Sequence, residues 1–296
     1  MNLRQSQCNE RAQLIHDKET REFLNYRKLL QDPKHRETWE KSAANKFGRL
    51  ALGLKDGRVK GTNTIFFISK DKVPKDKIKD VAYGSFSCDF RPNKTETHCT
   101  RLTAGGDRVN YPGNAGTPTA DMTLFKILMN SIISTKGSRC VMVDIKDFYL
   151  CMPMKRFKYM RLKTTDIPEE IMTEYGLHEL ANNGYVYCEI QKGMYGFPQS
   201  GIIAQELLEE RLARYGYHQS KIIPGFWKHK TRPICFTLVV DDFAIKFTSK
   251  ADGTHLIEAL KRDYMMTVDR EATKYIGLTI EWDYKMEMHT HTCQDI

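Results

Sequence analysis

Ile234-Cys235-Phe236-Thr237-Leu238-Val239-Val240-Asp241-Asp242-Phe243-Ala244-Ile245-Lys246-Phe247 sets two adjacent acids inside an otherwise apolar run. The flanking residues are β-branched, aromatic or aliphatic. They read as two strands, Ile234 to Val240 and Phe243 to Phe247, with only Asp241-Asp242 between them. A two-residue hairpin turn prefers Asn-Gly or Asp-Gly, because its central residues need positive φ. Asp-Asp is poor chemistry for such a turn, and two like charges at one tip repel. Divalent cations held there would turn the repulsion into attraction. Taken alone, the pair is evenly balanced between a turn, where aspartate is common, and a functional site.

A second segment shifts the balance. Cys140-Val141-Met142-Val143-Asp144-Ile145-Lys146-Asp147-Phe148-Tyr149 reads as a short apolar strand that ends in Asp144. On its own, Asp144 is better explained as a strand-end acid. One acid on a strand and two on a neighbouring hairpin could, however, hold two divalent ions about 3.5–4 Å apart. Carboxylates suit Mg²⁺, a hard cation that keeps substrate phosphate oxygens among its ligands.

Outward from these segments, the pattern alternates without a strict strand–helix–strand rhythm. Residues 1 to about 55 read as helical and polar, with Trp39, Ala43, Phe47, Leu50 and Leu54 at helical spacing. Short strands are expected at Thr64 to Ser69, Ala82 to Phe90, His98 to Thr103 and Tyr185 to Ile190, with a last one at Tyr275 to Trp282. Lys70 to Asp80 is a charge-dense link, and Gly105 to Gly116 a Gly- and Asn-rich loop. Helices are expected from Thr117-Pro118 to about Ser134, from Pro198 to Tyr215 (capped by Ser200 and closed by Gly216), and from Thr254 to Tyr264. This order suits an α+β fold better than a doubly wound sheet.

Composition narrows the setting. No apolar run approaches the roughly 18 residues a membrane span needs, and Met1-Asn2-Leu3-Arg4-Gln5 lacks a signal-peptide core. The expectation is a cytoplasmic or nuclear protein that is not secreted and has no membrane partner. A net charge of +9 favours a polyanionic partner, weakly when taken alone. The 8 cysteines include no C-x-x-C pair, so buried reduced thiols are expected rather than a disulfide framework. Met288 to Cys293 alternates like an edge strand; His289, His291 and Cys293 lack a fourth ligand and read as incidental.

The order of these segments resembles the reverse transcriptases of Ty1/copia-type LTR retrotransposons. The resemblance runs from about residue 36 to 285. It rests on Asp144 followed by Tyr149, on Lys192-Gly193-Met194-Tyr195-Gly196-Phe197-Pro198-Gln199, and on the Asp241-Asp242 strand pair. It also rests on Tyr275-Ile276-Gly277-Leu278-Thr279-Ile280, which looks like the family's strand near the primer grip, on Trp39 to Ala43, and on Arg101-Leu102-Thr103-Ala104-Gly105-Gly106. The co-occurrence in order is specific, and no single motif is.

The resemblance implies a right-hand polymerase of fingers and palm, an antiparallel palm sheet backed by helices, with the thumb absent or truncated. Its segments would be an N-terminal helical region (1–55), mainly fingers (56–135), the first palm strand (136–154), a fingers insertion (155–195), palm (196–285) and a tail (286–296). Asp144, Asp241 and Asp242 would be the metal-binding catalytic carboxylates, with Mg²⁺ or Mn²⁺. Tyr149 would be a steric gate against a ribose 2′-OH. The backbone around Asp147 would lie against the incoming triphosphate, Gln199 would contact nucleotide or template, and Arg101 would neutralise triphosphate charge. Partners would be an RNA or DNA template with primer, deoxynucleoside triphosphates, and the RNase H and integrase parts of a retrotransposon polyprotein, housed in retrotransposon particles.

Two departures stand out. Val239 occupies a position where the family usually has an aromatic, and the chain ends at Ile296 without room for a thumb. The expectation is a fragment of a longer polyprotein or a decayed copy. Beside the polymerase, a catalytically inactive nucleic-acid-binding remnant stays open. A nucleotide cyclase, which also uses strand and hairpin carboxylates, stays open more remotely.

Overall fold

The structure is a computed structural model that describes residues 14–17, 19–92, 94–105, 116–197 and 199–284, and the backbone of 288–293. In chain order its strands begin with β1 (Ile15–His16), β2 (Phe23–Leu24), β3 (Ile65–Ile68), β4 (Ala82–Phe90) and β5 (His98–Ala104). They continue with β6 (Arg139–Ile145), β7 (Pro153–Lys163), β8 (Tyr185–Lys192), β9 (Tyr217–Gln219), β10 (Phe226–His229) and β11 (Ile234–Val239). The last are β12 (Asp242–Phe247), β13 (Met266–Asp269), β14 (Lys274–Tyr275), β15 (Leu278–Asp283) and β16 (Met288–Cys293). The helices are α1 (Tyr26–Gln31), α2 (Arg36–Leu50), α3 (Met122–Ser134), α4 (Glu169–Glu174), α5 (Leu177–Leu180), α6 (Ser200–Ala213) and α7 (Lys250–Lys261). The mix of helices with mostly antiparallel sheets is compatible with the α+β class. Among the described residues no helix is long and apolar enough to cross a membrane.

The chain divides into two compact units, one of residues 1–113 and 152–200, the other of 114–151 and 201–296. The first holds a five-stranded sheet in the order β3-β8-β7-β4-β5, antiparallel except where β4 runs parallel to β7. α2 buries Trp39, Ala43, Phe47 and Leu50, the stripe its helical spacing foretold. Residues 152–200 return to this unit, and the helix Met122–Ser134 lies in the other.

The second unit is built on a six-stranded antiparallel sheet, β13-β6-β12-β11-β10-β9. Its central strands are buried on both faces, which is why they read as continuous apolar runs rather than alternating ones. One face carries Cys140, Met142 and Ala244 against Phe125, Leu128, Met129 and Ile132 of α3, with Tyr275 and Ile280 closing the cluster. Strands β14, β15 and β16 form a small antiparallel sheet with β16 at its edge, as its alternation suggested.

Several boundaries differ from expectation. The helix expected from Pro118 starts at Met122, because Asp121 supplies the cap by accepting from the Leu124 amide at 2.7 Å. Ser200 is the first residue of α6; its hydroxyl donates to the Met194 carbonyl at 2.8 Å and accepts from the Met194 amide at 3.3 Å, which holds the preceding turn. α7 begins at Lys250, four residues early, since Ser249 caps it and Gly253 leaves room for the Phe247 ring. The strand expected at Tyr275–Trp282 is two strands joined at Ile276-Gly277, whose φ values of 42° and 82° fit a type I′ hairpin turn. Residues 1–55 are not wholly helical, because β1 and β2 pair as a short ribbon.

Candidate carboxylate site

The ladder between β6 and β12 fixes the site. Residues directly opposite in an antiparallel pair project from the same face, with Cβ atoms about 4.5–5.5 Å apart. Asp144 of β6 is opposite Asp242, the first residue of β12, and on its other side opposite Thr267 of β13. Asp144 is exposed, and Asp241 and Asp242 are half-buried. The two acids therefore sit side by side at one end of the apolar face that α3 covers.

The β11–β12 turn is shifted by one residue from the sequence reading. Its two loop residues are Val240 and Asp241, closed by the pair Val239 and Asp242. β12 starts early because Asp242 is already paired to Asp144 in β6, and the Ile145 amide donates to the Asp241 carbonyl at 3.0 Å. The poor turn chemistry falls on Val240, whose φ of 58° is a left-handed conformation rare for a β-branched residue. Such strain costs about 1–3 kcal/mol and persists only where the surroundings enforce it.

Burial pushes the Asp241 carboxyl above the ordinary aspartate range; its own backbone N–H opposes this, and the neighbouring Asp144 charge adds to the rise. Tyr149 is raised by burial and then by Asp241, so the ring and this carboxyl sense each other. Tyr149 lies in the 3₁₀ turn Phe148–Cys151, entered through Asp147 at a φ of 52°. The turn is braced twice: the Lys146 amide donates to the Met265 carbonyl at 2.9 Å, and the Phe148 ring packs 6.0 Å from that of Tyr264. Behind Tyr149, a Cβ added to Gly201 would lie 4.0 Å from the tyrosine hydroxyl and 2.4 Å from Thr117 Oγ1.

One residue of this neighbourhood was not singled out from sequence, and another was read only as part of the strand near the primer grip. Thr267 flanks Asp144 across β13. Tyr275 stacks on Phe125 at 4.6 Å, and its hydroxyl is raised by burial and, more weakly, by Asp242. Thr267 stands in no recognisable motif, and only the strand order brings it beside Asp144.

Asp144, Asp241, Asp242, Asp147 and Tyr149 thus share one unit. Arg101 and Gln199 belong to the other. Arg101 is exposed on β5 and pairs with Asp89 at 3.2 Å. Gln199 is buried, and among the described residues its Oε1 has no hydrogen-bond partner.

Hard oxygen donors gathered beside one another fit a magnesium or manganese ion. The three carboxylates do not bring their oxygens within 4.8 Å of one another; among the described residues Asp17, Asp32 and His35 do. That second cluster has a structural explanation. Asp17 accepts from the Glu19 amide at 2.7 Å and from the Thr20 amide at 3.2 Å, and contacts the His35 ring at 3.0 Å, which holds its carboxyl down at about 2. No protein-family model matches the chain, and no curated protein matches it.

Proposed function

We propose that the chain is the catalytic core of an RNA-directed DNA polymerase, adding deoxynucleotides to a primer 3′-OH. The observation that carries this reading is the juxtaposition of Asp144 with Asp242 across β6 and β12, with Asp241 in the turn beside them. Segments far apart in sequence bring their acids together on neighbouring interior strands, in the order the family resemblance implies. In this reading the six-stranded sheet with α3 is the palm, and the five-stranded unit supplies fingers.

Asp144, Asp241 and Asp242 would hold Mg²⁺ or Mn²⁺. Bound there, a pair of ions would activate the primer hydroxyl and stabilise the leaving phosphate oxygen. The chain's own contribution is placement. The β6–β12 register fixes two carboxylates, and the strained Val240 turn presents the third. Burial keeps water from fully screening Asp241. Tyr149, beside Asp241, would fill the space of a ribose 2′-OH. Arg101 and Gln199 would contact triphosphate and nucleotide. The polyprotein's RNase H and integrase remain proposed partners.

The test is incorporation of labelled deoxynucleotide on a primed RNA template with Mg²⁺ or Mn²⁺. Asp241→Asn should abolish it; incorporation unchanged in that variant would overturn the assignment. A second reading, an inactive nucleic-acid-binding remnant, is favoured by the unconverged carboxylate oxygens and by Val239 beside the turn. It predicts primer–template binding that weakens with salt but gives no extension in either metal.

A further inference from the structure

The charge-dense link Lys70 to Asp80 has no part in the carboxylate site. In the structure it forms two 3₁₀ turns, Lys70–Lys72 and Lys75–Asp80, laid on the first unit's sheet. Val73 and Val81 are driven into the sheet and cluster with Tyr159 and Tyr187. That anchoring leaves a cavity of about 110 Å³, lined by Lys70, Lys79, Arg161, Tyr187, Val73 and Val81 among others.

Three cations face this small space, and among the described residues none of them forms an ion pair with a carboxylate. Arg161 is opposite Tyr187 across the β7–β8 ladder, so both project from one face. Its guanidinium lies over the Tyr185 ring at 5.0 Å. A guanidinium over a ring face can still donate through its N–H edge, the donor geometry that phosphate oxygens take. Of the acids in and beside the link, Glu189, Asp76 and Asp71 are engaged with other groups, and Asp80 ends the second turn next to Lys79. Glu189 accepts from Gln191 at 2.8 Å and from Tyr159 at 3.3 Å, and Asp76 pairs with Lys77 at 3.5 Å.

Size selects the ligand. At roughly 30 Å³ per water, the cavity holds a group of a few heavy atoms, well short of the roughly 300 Å³ of a pocket for a whole small molecule. We propose that this pocket grips one backbone phosphate of a single-stranded nucleic acid, with Arg161 as the fork and Lys70 and Lys79 as flanking charges. The identity of the polymer rests on the polymerase reading; the phosphate chemistry does not.

The experiment is fluorescence anisotropy of a labelled single-stranded oligonucleotide on the full chain, without divalent ions or nucleotides, across a salt series. Arg161→Gln and the double variant Lys70→Ala/Lys79→Ala should each weaken binding several-fold. Together they should lower the log–log salt slope by about 0.7, the share of one phosphate on a single strand. Lys72→Ala/Lys75→Ala, in the same link but off the pocket, should bind like the parent chain. Equal loss in that control would overturn the pocket in favour of diffuse charge. An unchanged slope in the pocket variants, with folding verified by circular dichroism, would overturn it too. An abasic oligomer should bind equally well, and a free deoxynucleoside triphosphate should not displace the strand; displacement at comparable affinity would replace the backbone assignment with a nucleotide site. If Asp241→Asn leaves incorporation intact, the polymerase reading fails while these binding outcomes stand. If the pocket variants bind normally, the pocket fails while the polymerase reading stands.

Discussion

Asp144 and Asp242 are direct cross-strand partners on two interior strands, so two carboxylates face each other with nothing between them in the register. Like charges directly opposite in a sheet are destabilising. Asp242→Asn should therefore raise the thermal midpoint in chelator. Millimolar Mg²⁺ or Mn²⁺ should stabilise the parent chain and stabilise the variant less. Differential scanning fluorimetry with and without divalent ion reads both effects, and equal metal stabilisation in the two proteins would count against a shared ion site.

Val240 holds a left-handed backbone at the hairpin tip. Glycine adopts that conformation without steric cost. Val240→Gly should stabilise the fold by up to about 1 kcal/mol in urea denaturation, the low end of what such strain costs. A loss of stability would mean that the half-buried valine side chain outweighs its backbone.

The Asp241 carboxyl is raised in the folded state, chiefly by burial. Its folded form binds a proton more tightly than its unfolded form. Its favourable contribution is thus present below the ordinary aspartate value near 4 and is lost as pH rises through the raised folded value. Asp241→Asn should match the parent's stability in acid and exceed it progressively above that range. Asp17 behaves oppositely. Held at about 2 by His35 and two amides, it stabilises above the ordinary value and loses that contribution as pH falls toward 2. Unfolding midpoints from pH 2 to 7 for Asp17→Asn and Asp241→Asn should therefore diverge from the parent in opposite senses.

Gly201 sits where a Cβ would collide with Thr117 Oγ1. Gly201→Ala should cost about 1–3 kcal/mol by overpacking, although alanine alone is the better helix former. Adding Thr117→Ala should recover most of that loss. In the polymerase reading, the single variant should also change discrimination between deoxy- and ribonucleotides, because the added Cβ would lie 4.0 Å from the Tyr149 hydroxyl.

The elements most legible in the sequence were those whose signal is local. β4 (Ala82–Phe90) was read to the residue, and β5 ended one residue beyond expectation, because a turn separates two alternating runs. α2 declared itself through its buried stripe. Where two local signals competed, the weaker reading was easily chosen: Pro118 looked like a helix start, but the Asp121 cap decided it. The placement of the β11–β12 turn was not local at all. It follows from Asp242 pairing with Asp144 on another segment, a partner no hairpin rule contains. The β1–β2 ribbon was invisible because strands of two residues carry no period. The assignment of Arg101 and Gln199 to a different unit from the carboxylates depends on where the chain crosses between units, which composition does not mark.

The strand that carries Asp144 is flanked by β12 and β13, both made about a hundred residues later in the chain, so these contacts are of high order. During synthesis β6 has two open edges until those strands leave the ribosome. The carboxylate cluster is therefore among the last features of its unit to form, and a nascent chain halted before Met266 would hold Asp144 on an unpaired edge, exposed to misassociation.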